Sequence, residues 1–400
     1  MKLLKTAIIF FLIASATLFA QVRVVGQTGG KAGIDWSGFS AANDRASTLF
    51  MKTLRADLAR SGWFTSAGKG EGLYRIAGTT RMKGGNLKVE CRVYSRGDDK
   101  AELSQAYSEK ADAARRLAHK VADDIVLALK NYKGIASTRF TLVGTASGKK
   151  ELYLCDYDGA NLRQLTRDGT VSVAPSWGPE GQKIFYTSYL QHFPDILEID
   201  LRSGKRRVVS NKPGLNTGAA MSPDGKTLAL ILSKDGNPEL YTKDLRTGRL
   251  TRLTRTGTGS EASPCWSPDG RRIVYVSDTS GRPQLYIIAR AGGAPKRLRL
   301  RGSENVSPDW SRNGWIAYAS RFGGKYHVFI VNPSDMEIRQ ISSGMANYED
   351  PSWAPDGRHI VCSRTQRYIS RICILDIMGD SPVSLDFGKG NWYSPVWSPK

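Results

Sequence analysis

Apolar and polar positions in the C-terminal two-thirds of the chain repeat on a single period. The segments Pro175-Ser-Trp177-Gly-Pro179-Glu-Gly181, Ala219-Ala-Met221-Ser-Pro223-Asp-Gly225, Pro264-Cys-Trp266-Ser-Pro268-Asp-Gly270, Pro308-Asp-Trp310-Ser-Arg-Asn-Gly314, Pro351-Ser-Trp353-Ala-Pro355-Asp-Gly357 and Pro395-Val-Trp397-Ser-Pro399 recur at steps of 44, 45, 44, 43 and 44 residues. A fixed period of this length marks stacked supersecondary units. In each unit a Pro-Asp-Gly type turn, with proline pre-setting its backbone angle and glycine accepting a positive one, leads into an apolar run such as Arg272 to Val276. A second run follows, as at Gln284 to Ile288, and the corresponding runs end on Asp156, Asp200, Asp244, Asn332 and Asp376 before another turn. A short third strand comes next, as at Leu162 to Leu165 and Leu250 to Leu253, and the Pro-x-Trp stretch supplies a fourth. Four strands per period predict a propeller blade, and the lack of strict alternation fits sheets covered on both faces by neighbouring blades.

The two ends of the repeat region are complementary. Residues from about Arg139 to Thr166 carry three strands with no Pro-x-Trp strand before them, while the last anchor has no strands after it. Joining them closes a ring of six blades and leaves no incomplete sheet edge.

Residues 21–134 follow other rhythms. Val22 to Val25 reads as a short strand. Asn43 to Ser61 carries Ala46, Leu49, Phe50, Leu54 and Leu58 at helical spacing, and Gly62 ends it. Leu87, Val89, Cys91 and Val93 alternate with Lys88, Glu90 and Arg92 as in a half-buried strand, flanked by strands near Tyr74–Thr80 and Glu102–Ser108. A second helix is predicted from about Asp112 to Tyr132, with Leu117, Val121, Ile125 and Leu129 on one face. The fold class is therefore mainly β: a small α/β domain at 21–134, then a six-bladed β-propeller at 135–400 closed by the C-terminal strand.

Ahead of both, Lys2 and Lys5 precede an apolar stretch from Ala7 to Ala20 and a polar turn at Gln21. That order is the pattern of a secretory signal at 1–20, too short to span a bilayer, so the mature chain is expected to lack a transmembrane segment. Cleavage is expected after Ala20, where Leu18 stands at the position that usually carries a small residue, with the Ala14-Ser15-Ala16 triplet as a second candidate. The five cysteines (Cys91, Cys155, Cys265, Cys362 and Cys373) contain no Cys-x-x-Cys pair, which excludes a structural zinc site of that kind. Cys362 and Cys373 can face each other across a hairpin, as a disulfide or as two buried thiols.

Net charge adds one more constraint. The chain carries +21, spread as +8 over residues 21–134 and +11 over 135–400. Such a surface attracts anionic partners. Neither domain carries a nucleic-acid motif, so nucleic acid is not an expected partner.

Several features together resemble one family. The signal, the opening Val22-Arg-Val-Val25, the run Ala118-His-Lys-Val-Ala-Asp-Asp124, the path through Lys133-Gly-Ile135 to Arg139, Leu152 to Asp158-Gly159, and the ending Pro395-Val-Trp-Ser-Pro399 are similar in order and spacing to the TolB family of the Tol-Pal envelope system. This chain departs from the pattern in its Gly-rich region Gln27 to Ser40, in Met221 for tryptophan and in Arg312-Asn313 for Pro-Asp. The resemblance implies a non-enzymatic, monomeric adaptor of the periplasm, serving outer-membrane integrity and cell division. It further implies binding of a Pal-like peptidoglycan-associated lipoprotein through the propeller. A TolA-like inner-membrane protein would be bound through Gln21, Val22, Arg23, Val24 and Val25, an extended segment able to add to a partner's sheet edge.

All six innermost strands run the same way, so the loops entering them gather on one face. That rim comprises Asn216, Thr217 and Gly218; Ser260, Glu261 and Ala262; Glu304 and Asn305; Asn347, Tyr348 and Glu349; and Asn391, Trp392 and Tyr393. Glu261, Glu304 and Glu349 fall at nearly equivalent positions, which raises the option of a shared calcium ion, although no dedicated calcium loop is present. No cofactor is otherwise indicated. An alternative reading is an envelope carbohydrate-binding propeller, with Trp392, Tyr393 and Tyr348 stacking on sugars. An enzyme is disfavoured: there is no Gly-x-Ser-x-Gly elbow and no His-Glu-x-x-His pair, and His119, His192, His327 and His359 form no cluster in the sequence.

Overall fold

The computed structural model describes residues 30–191 and 193–399. The predicted signal, the segment Gln21 to Val25 and His192 lie outside the described residues. The first domain is a five-stranded sheet carrying two helices, α1 (Arg45–Arg60) and α2 (Ala114–Lys130). Its strands are β1 (Ala32–Ser40), β2 (Phe64–Ala67), β3 (Tyr74–Lys83), β4 (Asn86–Ser95) and β5 (Ala101–Lys110), in the order β2-β1-β3-β4-β5, with β1 parallel to both neighbours.

Strand β1 lies in the stretch whose sequence reads only as Gly-rich. Its glycines permit close approach: a Cβ on Gly33 would stand 2.9 Å from the Ala67 Cβ, and one on Gly38 would stand 3.1 Å from the Ala77 Cβ. At the start of α1, Asp44 accepts from the Ser47 backbone N–H at 2.9 Å, an N-cap that satisfies one of the free donors of the first turn. The helix buries Ala46, Phe50, Leu54 and Leu58, but Leu49 is exposed. Successive residues rotate by about 100°, which puts Leu49 roughly 120° from the middle of the buried stripe. Helix α2 buries Leu117, Val121 and Ile125 against the alternating face Leu87, Val89, Cys91 and Val93 of β4.

Six four-stranded sheets follow. Blades 1 to 5 occupy residues 172–210, 216–252, 261–297, 305–340 and 347–385. Blade 6 is composite: Trp392–Trp397 is its innermost strand, paired antiparallel with Arg139–Gly144, which continues to Glu151–Asp156 and Arg163–Gln164. The ring is thus closed by the end of the chain, as the complementary ends of the repeat predict. Cys362 and Cys373 are direct partners across blade 5, both buried and both free thiols.

The anchor motif has a physical reason at each position. The Trp177 and Trp266 indole N–H groups donate at 3.0 Å to the carbonyls of Val396 and Ala220 on the preceding blades. At the position before the tryptophan, Cys265, Asp309 and Ser352 each accept a backbone N–H from the next blade, from Trp310 (3.3 Å), Trp353 (2.7 Å) and Trp397 (3.2 Å). The following serine and aspartate shape the turn: Ser267 accepts the Arg272 N–H at 2.9 Å and Asp269 accepts the Arg271 N–H at 3.0 Å. The aspartates that end the next-to-outermost strands cap the other turns of the same face, as Asp200 does for the Ser203 N–H at 2.8 Å and Asp244 for the Thr247 N–H at 2.7 Å.

The first domain docks on the face that carries these turns. Asp57 on α1 sits 2.7 Å from His119 Nδ1 and accepts the Tyr157 hydroxyl at 2.6 Å. Arg358 pairs with Asp376 at 2.7 Å, donates to the Gly62 carbonyl at 3.1 Å and lies over the Trp63 ring. Arg115 and Arg60 approach Asp158, and Lys31 pairs with Asp380 at 2.7 Å. One hydrophobic cluster runs from Ile34 and Phe50 through Ile135 to Trp397 and Ile372, so the two domains share a continuous core.

Candidate partner-binding site

The opposite face of the propeller carries the channel mouth, and its geometry repeats six times. Three residues before each anchor position the innermost strand adopts a left-handed backbone: Ala174, Gly218, Ser263, Ser307, Asp350 and Ser394 all have φ between 44° and 62°. The ladder to the next strand shifts register at the same point in every blade. This is a β-bulge, which bends the strand and re-aims its side chains. Five of the six residues are not glycine, so each holds a conformation costing on the order of 1–2 kcal/mol that the surrounding sheets must offset. The bulges bring Ser307, Asp350 and Ser394 from three consecutive blades together, the Asp350 carboxylate accepting both serine hydroxyls at 2.9 and 2.8 Å.

The bulge also sorts the predicted rim residues. Five positions before the anchor stand Ser172, Asn216, Glu261, Asn305, Tyr348 and Trp392, and all six are buried between blades. Asn216 is spent on the loop before it, accepting the Lys212 N–H at 2.9 Å and donating to the Lys212 carbonyl at 2.7 Å. Asn305 donates to Gln284 at 2.8 Å. Asn347 and Asn391 accept the backbone N–H groups of Tyr326 and Ser370 at 3.1 and 3.0 Å and so hold neighbouring hairpins. What remains at the mouth is Thr217, Gly218, Ala262, Glu349 and Tyr393, with Ser260 on the exposed approach.

Two expectations are corrected here. Trp392 is 0% exposed and packs edge-on against Tyr153, and Tyr348 is 6% exposed beside His327, so neither offers a face to a sugar. Stacking aromatics must be accessible, and only Tyr393 of the three is partly so. The three glutamates are not equivalent either, because they stand five, six and four residues before their anchors. Glu261 accepts the hydroxyls of Ser277 and Thr256 at 2.9 and 3.1 Å, Glu304 is held by Arg321 at 2.9 Å and by Tyr326, and Glu349 stands beside Asp350. Among the described residues their oxygens form no common cluster; the one acidic and histidine cluster is Asp57, His119 and Asp158 at the domain interface.

Electrostatics separate the three further. Burial, and then the neighbouring Glu239, push the Glu261 carboxyl up to about 7. Glu239 is held low against its own burial by Thr254, Thr256 and Arg252, the last at 2.9 Å. Burial and Asp350 raise Glu349, whereas Tyr326 and Arg321 lower Glu304. The three described histidines are scattered: His119 meets Asp57, His359 lies 2.6 Å from Asp356, and burial lowers His327. The bulge ring was the part sequence reasoning missed. Its signal is the proline after the left-handed position in five of the six innermost strands, at Pro175, Pro264, Pro308, Pro351 and Pro395.

The family model for the TolB beta propeller domain (PD40) matches residues 127–400. The chain belongs to this TolB propeller family. A Tol-Pal system protein TolB of Gluconobacter oxydans (strain 621H) is 28% identical over 349 residues, covering 84% of this chain and 76% of that protein. Another, from Desulfosudis oleivorans, is 32% identical over 186 residues, which are 46% of this chain and 42% of that protein's length. The crystal structure of TolB from Acinetobacter baumannii superposes with a TM-score of 0.83 at 26% identity, covering 93% of this chain and 97% of the other. TolB likeness thus extends over the first domain as well as the ring. No helix among the described residues is long and apolar enough to cross a membrane.

Proposed function

We propose that this TolB-family chain is a non-enzymatic adaptor of the periplasm, working in a Tol-Pal system for outer-membrane integrity and cell division. It takes a Pal-like lipoprotein at the channel mouth and a TolA-like inner-membrane protein through Gln21 to Val25. The observation that carries the reading is the likeness to Tol-Pal TolB proteins across both domains. The channel mouth supports it physically. A mouth lined by small, polar and aromatic side chains, with deep anchors fixed between blades, suits a protruding protein segment better than a small substrate.

The test is capture from native envelope by the purified chain and by an Ala262→Arg variant, with mass spectrometry of what is retained. Ala262 is exposed on the innermost strand of blade 3, so the arginine obstructs the mouth without entering the core. Recovery of a peptidoglycan-associated lipoprotein by the first and its loss from the second is the expected result. Recovery of glycan alone, or equal recovery of the lipoprotein by both, would overturn the assignment to this mouth.

A further inference from the structure

The hairpins that crown the channel face differ in how far their strands stay paired toward the tip. In every complete blade the second strand begins six residues after the anchor, so differences in strand length fall entirely at the tips. In blades 2 and 3 the hairpin strands are six residues each. In blade 5 they are eight and eight, and in blade 1 nine and eight. All four hairpins span 18 residues, 183–200, 227–244, 272–289 and 359–376, so the difference is that blades 1 and 5 stay paired up to a tight turn while blades 2 and 3 open into six-residue loops.

Large apolar side chains are exposed on this face. Tyr189, Leu190 and Phe193 end the blade 1 hairpin, Phe322 the blade 4 hairpin, and Tyr368 and Ile369 the blade 5 hairpin, with Met345 in the loop between blades 4 and 5. Phe193 is 70%, Met345 77% and Tyr368 95% exposed. Among the described propeller residues only Val208 and Met378 are large, apolar and exposed elsewhere. Scattered exposed apolar residues need no explanation, but a concentration on one face does. The turn at Arg367-Tyr368 adds to this: both residues have positive φ (50° and 66°) with no glycine, a strain that gains Tyr368 no burial.

Charge follows the same face. The loops opening on it carry 11 Lys and Arg against 5 Asp and Glu, whereas those on the face of the first domain carry 9 against 8 among the described residues. Lys149 and Lys150 lie in the tip loop of blade 6, next in the ring to blade 1, and Arg364 and Arg367 flank the tip of blade 5. Apolar tips that can enter the headgroup boundary, ringed by cations, match the surface of an anionic bilayer.

We propose that this crown docks the protein on an anionic phospholipid membrane, with Phe193, Tyr368 and Met345 inserting and the lysines and arginines meeting the headgroups. The inference is independent of the lipoprotein reading, because protein-free vesicles test it. The purified chain is co-sedimented with vesicles of phosphatidylethanolamine and phosphatidylglycerol, and with vesicles of phosphatidylcholine. Binding to the anionic vesicles, weakened by salt and at least about tenfold stronger than to phosphatidylcholine, is expected. A Phe193→Ser/Tyr368→Ser variant should lose about tenfold or more with an unchanged unfolding transition, since both side chains are exposed. Lys149→Glu/Lys150→Glu should lose at least fivefold per lysine, roughly. Failure to bind anionic vesicles, or equal binding by the serine variant, overturns the proposal. Binding only when a membrane protein is added would assign the crown to a protein partner instead.

Discussion

Changing Glu261 to glutamine should stabilise the protein above neutral pH and leave it nearly unchanged in mild acid. Glu261 is 2% exposed and shares its surroundings with Glu239, whose charge is already matched by Arg252. Its carboxyl is raised from 4.5 to about 7, so the folded state holds a proton that the unfolded chain releases. The sign follows from linkage: below 4.5 both states are protonated and the group contributes nothing, and from there to about 7 rising pH favours the unfolded chain. A shift of that size amounts to about 3 kcal/mol once both states are past their transitions. Most of it, about 2–3 kcal/mol, accrues between about pH 5 and about pH 8. Glutamine keeps the geometry that meets Ser277 and Thr256 but carries no charge to desolvate. Urea unfolding of the two proteins at both pH values measures the difference directly. A gap that does not widen from pH 5 to pH 8, or a glutamine variant less stable at both, would refute the assignment of a buried, protonated Glu261.

Other consequences concern the ring and the domain contact. Arg358→Ala leaves Asp376 buried without its guanidinium and removes the bond to Gly62, which should cost about 3–5 kcal/mol in urea unfolding and expose the linker near Gly134 to protease. Trp392→Ala should cost about 3–5 kcal/mol from the cavity it leaves, without any change in glycan binding. Removing residues 392–400 strips the innermost strand from blade 6 and should lower and broaden thermal unfolding followed by circular dichroism; an unchanged unfolding curve would mean that the ring does not depend on that strand.

How much of this was legible in the sequence depends on the source of each signal. The six blades and their closure are set by local chemistry repeated at a fixed period: a turn that needs proline and glycine, and a tryptophan that reaches the preceding blade. Such features survive reading one residue at a time. Strand β1 was not legible, because Gly33 and Gly38 serve contacts with Ala67 and Ala77 that only the assembled sheet defines. Leu49 misled because the buried arc of α1 is set by what packs on it. The predicted rim residues do gather at one end of the ring, but the bulge decides which of them are buried. A left-handed residue at Ser263, Ser307, Asp350 or Ser394 has no glycine to announce it. Glu261, Glu304 and Glu349 looked equivalent by rough spacing, and single-residue offsets in a strand reverse the side to which a side chain points.

The account rests on the channel mouth as the partner's seat, and calorimetric titration of the purified Pal-like lipoprotein into the chain tests that most directly. Three variants are compared: Ala262→Arg and Glu349→Arg at the mouth, and Arg246→Glu, exposed on the opposite face. The mouth substitutions should each weaken binding by about tenfold or more, as truncation or obstruction at the centre of an interface does, with Arg246→Glu at the parental affinity. Parental affinity in both mouth variants, or a loss confined to Arg246→Glu, would contradict the account.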